Sequence, residues 1–156
     1  STQTELEATL DSLNSTEAEL AELQLSYDGL ISGHGYTIKD PTYKQMMSFI
    51  REDKTDKEQY IEGEYVCENF AMDVCNNAEE KGIRCAYVII HYPDSGHAIV
   101  AFNTIDKGLI YIESQSDELV KPVIGEHYYQ CVIPEAGYYY QEPDYDDTIE
   151  EILVIW

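Results

Sequence analysis

The apolar positions of this chain change their period partway along, and the change divides it. Leu6, Leu10 and Leu13 step by four and then three, alternating the a and d positions of a heptad. Glu17 interrupts the seam before Leu20 and Leu23 resume it. Residues 1–26 contain no Gly, no Pro and no basic residue. The stretch therefore predicts a helix, capped by Ser1 or Thr4 and ended by Asp28-Gly29. Such a helix either packs on the domain that follows or forms a short coiled-coil stalk, with self-association through its leucines. We assign residues 1–28 to this helix and 29–156 to the domain proper. Residues 29–40 hold three glycines and read as loop.

Asp40-Pro41 opens a second helix, with Asp40 as the cap and proline at the first helical position. Tyr43, Met46, Met47 and Ile50 then recur at helical spacing as far as Arg51. The charged segment 52–64 reads as a surface connection. A third helix runs from Val66 to Lys81 and is stopped by Gly82. Beyond it the pattern alternates, predicting strands over 84–92, 97–103 and 109–114, with 128–133 and 149–156 as further ones. Helices followed by a run of strands make an α+β domain with a mostly antiparallel sheet.

A length of 156 residues with 44% hydrophobic composition supports one domain with a real core, plus the helical appendage. Charge narrows the function classes. Thirty-one acidic residues against 9 basic ones leave a net charge of −22. That disfavours nucleic acid and anionic membranes, which need clustered Lys and Arg, and favours cationic partners. No apolar run is long enough to predict a membrane span. The start, with neither Met nor a signal-like segment, suggests an excised or mature product. The stalk-like helix and acidic surface suggest display outside a membrane on an anchor beyond this sequence. A cytoplasmic protein with reduced thiols fits the cysteines equally.

Three residues carry candidate chemistry. Cys67 lies in the first turn of the third helix, on the face that also presents Phe70, Ala71, Val74 and Ala78. Free N–H groups at a helix N-terminus favour thiolate over thiol and can stabilise an oxyanion. The competing reading is a buried core cysteine. His97 follows a glycine at the open end of a strand that is apolar on both faces, a suitable position for a base. Glu113 follows from hairpin arithmetic. A three- or five-residue loop centred on Ile105 sets Glu113 directly opposite His97, where a carboxylate orients the imidazole; a four-residue loop sets Ser114 there instead.

Cys67 opening a helix, Gly82-Ile83-Arg84-Cys85-Ala86 entering a strand, Gly96-His97-Ala98-Ile99-Val100, and Gly108-Leu109-Ile110-Tyr111-Ile112-Glu113 together resemble the transglutaminase-like superfamily. The resemblance spans about residues 41–116. It implies a papain-like α+β scaffold with a central cysteine-bearing helix packed on the sheet. It also implies a thiol-dependent hydrolase or acyltransferase on amide or peptide bonds, with Cys67 as nucleophile, His97 as base and acid, and Glu113 as orienting carboxylate. The family's third residue is usually Asp, and Glu113 is one methylene longer. Ile99 stands where the family often has Trp. The partner implied is a peptide or protein substrate, cationic if the acidic surface guides it, with no cofactor. For the second oxyanion donor, Tyr65, Gln59 and Asn69 are the candidates.

The alternative is a non-catalytic interaction module on the same scaffold, using the leucine seam and the tyrosines at 138–140 and 145. Cys75, Cys85 and Cys131 read as buried thiols, of which at most one pair can bridge. No ligand spacing supports zinc at Cys67, Cys75, Cys85 and His91 or His97, so no metal is expected. His34 and His127 read as solvent-facing, the acidic runs at 53–58 and 144–147 as solvated surface, and 152–156 as a core strand.

Overall fold

The computed structural model describes residues 1–31 and 37–156. These divide into two compact units, Ser1–Thr37 and Ile38–Trp156. In the first, a single helix, α1, spans Thr2–Ile31. Ser1 caps it, its Oγ accepting from the Thr4 N–H at 3.4 Å. The helix continues through Asp28-Gly29 where a stop was expected, because one glycine costs only about 1 kcal/mol in a helix interior. The loop expected from residue 29 therefore does not start there, and His34 lies outside the described residues. Leu6, Leu10, Leu13, Leu20 and Leu23 are all exposed.

The second unit is α+β. Its elements run α2 (Tyr43–Glu52), α3 (Cys67–Glu80), β1 (Ala86–His91), β2 (Gly96–Thr104), β3 (Gly108–Ile112), β4 (Leu119–Val120), the short α4 (Tyr128–Cys131) and β5 (Glu151–Ile155). The five strands form one antiparallel sheet in the order β4-β3-β2-β1-β5. The segment expected as a strand over 128–133 is instead mostly α4, since Tyr128 and Cys131 bury one face of a single turn. Residues 152–156 are not a core strand. β5 is the sheet's edge, and its residues alternate between exposed and half-buried.

Both faces of β2 are covered. Ala98, Val100 and Phe102 pack with Ile112 against Met46, Phe49 and Ile50 of α2 and Ala71, Val74 and Ala78 of α3. Ile99 and Ala101 face a second cluster with Ala86, Val88 and Ile90 of β1, Tyr128, Val132 and Ile149. Burial on both faces explains the unbroken apolar run of β2.

The helices are stopped and started by hydrogen bonds that can be named. The α2 cap is Thr42, whose Oγ1 accepts from Gln45 N–H while Gln45 Oε1 accepts from Thr42 N–H, a capping box. Asp40, expected in that role, instead accepts from Asn103 at 3.2 Å and pairs with Arg84 at 3.5 Å. Gly82 ends α3 in the left-handed region at φ +75°, with Gly82 N–H on Glu79 O and Ile83 N–H on Ala78 O. This is a Schellman stop, and only glycine adopts it without strain. The connection 52–64 is not all surface: Asp53 and Thr55 are buried, and Asn77 of α3 donates to both, at 2.7 and 3.3 Å.

The loop after β3 carries a cost. Asp117 has φ +64°. Burial, and then the nearby charges of Asp56 and Asp53, push its carboxyl up to about 7. A carboxyl whose pKa rises on folding loses stability as pH climbs from about 4 to 7. Asp117→Asn keeps a side chain that tolerates left-handed backbone. It is expected to raise Tm by a few degrees at pH 8, with the gain vanishing toward pH 4, measured by calorimetry.

Candidate active site

The hairpin of β2 and β3 decides where Glu113 falls. Val100 pairs with Ile112 and Thr104 with Gly108, so the loop is Ile105–Lys107, one residue later than expected. Continued past the end of β3, this register sets Glu113 across from Ile99 rather than His97. The direct opposition expected from a loop centred on Ile105 is therefore corrected to a diagonal one. Parity survives, because the register moved by two, and the two side chains share a face. Diagonal neighbours stand about 7–8 Å apart, within reach of a long side chain. The extra methylene of Glu113 closes the gap, and His97 Nε2 meets Glu113 Oε2 at 2.7 Å.

By alternation, His97 and Glu113 belong to the face of the second cluster, where α4 packs. Tyr128 of α4 donates its hydroxyl to Glu113 Oε2 at 2.5 Å and sets its ring edge-on to His97, with centroids 5.0 Å apart. The Gln115 N–H donates to Glu113 Oε1 at 3.2 Å. Glu113 therefore accepts from three donors while its side chain is only 8% exposed, against 15% for His97. Sequence reasoning missed Tyr128, because it sits in a Tyr-Tyr pair read as strand and nothing local links it to residue 113.

Cys67 approaches from the other side of the sheet's end. It is the first residue of α3, after Val66 in extended conformation, and it is half-buried against the α2–α3 core. Asn69 Oδ1 accepts from Val66 N–H at 3.0 Å, half of a capping box; a valine cannot supply the other half. The first intrahelical bonds are those from Asn69 and Phe70 to Val66 O, which leaves the Cys67 and Glu68 N–H groups ahead of the ladder. Two of the proposed second oxyanion donors have other tasks. Tyr65 donates to Asp73 at 2.5 Å, and Asn69 caps the helix. Gln59 is exposed.

Cys67 and His97 line one cavity at the start of β2, and each shifts the pKa of the other toward its charged form. Since Nε2 is committed to Glu113, Nδ1 is the nitrogen left for the sulfur. Burial alone would raise the Cys67 pKa, but the neighbouring His97, and after it the Ala98 amide, bring it below the ordinary thiol value. Burial would likewise lower the His97 pKa. The charge of Glu113, the neighbouring Cys67 and the bond to Glu113 overcome it and lift His97 to about 10. Glu113, despite burial, is held below the usual carboxylate range by His97, Tyr128 and the Gln115 amide. All three shifts favour a thiolate–imidazolium–carboxylate chain. The His97 contribution to stability is complete below about pH 6.5 and is lost as pH rises through about 10. That of Glu113 is present above about pH 4.5 and is lost as pH falls through its lowered value.

The remaining candidates lie apart from this chain. His127, read as solvent-facing, has a partner: Nδ1 is 2.8 Å from Oδ1 of Asp147. Asp147 is itself buried and also accepts from the Tyr129 N–H, so the run 144–147 is not wholly solvated surface. Cys75, Cys85 and Cys131 are buried free thiols, with the sulfurs of Cys75 and Cys85 3.2 Å apart. Tyr138, Tyr139 and Tyr145 are exposed, while Tyr140 packs against the second cluster. Among the described residues, no group of His, Cys, Asp and Glu is arranged to hold a metal. No helix of the described residues is long and apolar enough to cross a membrane.

Glu113→Gln removes the charge that holds His97 protonated, so its pKa falls and the Cys67 pKa rises. The pH profile of Cys67 alkylation is expected to move upward toward that of a free thiol. Tyr128→Phe leaves the charge in place and removes one bond to it. It is expected to cost about 1–3 kcal/mol in urea denaturation while keeping alkylation active near pH 7.

No family model matches the sequence, and no curated protein matches it. Among solved structures, the chain is similar to the Polyporus squamosus lectin bound to the human-type influenza-binding epitope Neu5Aca2-6Galb1-4GlcNAc, and to a PSL1a–E64 complex. Each match has 14% identity and a TM-score of 0.46. Each alignment covers 54% of this chain and 34% of the other, so this chain spans about a third of the length of those it matches.

Proposed function

We propose that this chain is a thiol-dependent hydrolase or acyltransferase acting on amide or peptide bonds, with the papain-like scaffold of the transglutaminase-like superfamily. One observation carries the reading: a half-buried cysteine at a helix N-terminus lines the same cavity as a histidine whose Nε2 is 2.7 Å from a buried carboxylate. The order of the three groups also supports it, with Cys67 opening the helix, His97 near the start of β2 and Glu113 just past β3.

In this reading Cys67 Sγ adds to the carbonyl carbon as thiolate, and the carbonyl electron pair moves to oxygen. The Cys67 and Glu68 N–H groups at the start of α3 are the donors for that oxyanion. As the tetrahedral species collapses, the C–N bond breaks and the imidazolium of His97 gives its proton to the leaving nitrogen, which leaves a thioester on Cys67. Neutral His97 then takes a proton from water, or from an amine, as it attacks the thioester. The products are a carboxylic acid or a new amide, with the thiolate–imidazolium pair restored. Glu113 stabilises the imidazolium and fixes the tautomer, a role that needs no proton transfer to the carboxylate.

The exposed leucines of α1 favour a second reading, an interaction module that self-associates through this helix. Sedimentation equilibrium separates the two roles. Self-association through the seam predicts that Leu10→Lys with Leu13→Lys turns an oligomer into a monomer and leaves Cys67 reactivity unchanged.

The catalytic reading is tested by the pH dependence of iodoacetamide labelling, with Cys67→Ala and His97→Ala as controls. Labelling is expected to be specific to Cys67, to persist at about pH 7, and to move toward the free-thiol value near 8.5 in His97→Ala. Labelling of the native protein only above that value, or not at all, overturns it.

A further inference from the structure

The cavity beside Cys67, about 150 Å³, has one wall on α3 at Glu68 and a floor on β1 at Tyr87 and Ile89. That floor does not end at the cavity. In the β1–β5 ladder, Tyr87 pairs with Ile155 and Ile89 with Leu153. Paired residues point to the same face, so Leu153 and Ile155 extend the floor sideways to the edge of the sheet. Leu153 is 39% exposed and Ile155 51%, although the opposite face of both strands is packed under the second cluster.

The flank of α3 that borders this strip can be identified. Cys75 touches Cys85 at the entrance to β1, while Asp73 and Asn77 bond to Tyr65 and Asp53 on the other flank. Glu68 and Met72 lie one turn apart on the Cys75 side, and Met72 is 51% exposed. The result is an open apolar strip that starts at the sulfur and runs along β1 and β5, with Glu68 at its mouth.

Stereochemistry assigns the strip to one half of a substrate. His97 must hand its proton to the leaving nitrogen, so the leaving group departs at the end of the cavity lined by Gly96 and His97. The acyl group, which stays on the sulfur, is directed to the other end of the cavity, along Tyr87 and Ile89. We propose that the strip formed by Tyr87, Ile89, Leu153 and Ile155 receives the acyl part of the substrate, an aliphatic or aromatic side chain next to the amide that Cys67 attacks. This inference rests on the acyl-transfer reading of Cys67. An apolar occupant matches the uncharged floor, and Glu68 disfavours an acidic one.

The test uses peptidyl chloromethyl ketones, in which the thiolate displaces chloride to form a thioether, with Leu, Phe, Gly or Glu as the residue bearing the ketone. Rates of Cys67 modification are read by mass spectrometry on the full chain, beside iodoacetamide, which has no side chain to place. Leu and Phe are expected to react at least about tenfold faster than Gly, and Glu slowest. Leu153→Lys and Ile155→Lys, both exposed on an edge strand, are each expected to bring the Leu rate to within about twofold of Gly and leave the iodoacetamide rate unchanged. Equal rates for Leu, Gly and Glu at a normal iodoacetamide rate overturn the strip and leave the thiolate standing. A preference that survives both substitutions also overturns it. So does a change in sedimentation without a change in rates, which would assign the strip to a second copy of the chain. An inert Cys67 overturns the thiolate and the strip together.

Discussion

The hydrogen bond between His97 and Glu113 is the contact on which the site depends, because neither group is stable in its place without the other. Both are nearly removed from water at the end of β2, a strand covered on its two faces. A lone carboxylate there would be protonated and a lone imidazole neutral. Together at 2.7 Å, with Tyr128 and the Gln115 amide completing the shell of Glu113, they hold an ion pair whose positive end reaches a thiol. The lowered pKa of Cys67 is thus a consequence of a pairing that begins on the far side of the sheet. Removing one partner of such a pair leaves a buried charge unmatched, which costs more than the pair gains.

The same rule governs the rest of this acidic chain. With 31 acidic residues and only 9 basic ones, most carboxylates have no cation available, and most stand in water. The buried ones are each met by fixed donors. Asp53 accepts from Asn77 and from the Thr55 N–H, and Asp147 from His127 and the Tyr129 N–H. Asp106, at the tip of the β2–β3 hairpin, accepts from the Tyr43 N–H at 2.7 Å and so ties the hairpin to the first turn of α2. The departure from the rule is Asp117, which is pressed toward other carboxylates in the loop after Glu113.

The layout of the sheet explains how one cysteine serves two faces. Cys67 comes from the α3 side and His97 from the opposite side, and they meet at the open end of β2. Gly96 adds no side chain there. A Cβ at that position would stand 3.0 Å from the Ile90 carbonyl oxygen, tighter than most such contacts, so the close approach of β1 and β2 favours glycine.

Periodicity alone determined the elements whose signals are local. The α3 helix and its stop at Gly82, the two-faced burial of β2, and the alternation that makes β1 and β3 strands all follow from neighbours within one or two turns. So do the candidate residues Cys67 and His97, whereas the shared face of His97 and Glu113 depended on a loop length that the pattern left open. The tertiary structure decided what depends on partners distant in sequence. The loop register that turned direct opposition into a diagonal is one such feature, since strands of this length allow several even-numbered registers. The turn of helix at 128–131 is another, chosen because Tyr128 finds a buried carboxylate 15 residues away. The burial of Asp53 and Asp147 follows the same logic. Local pattern sets which face a side chain takes, and only packing sets which charged group waits on that face.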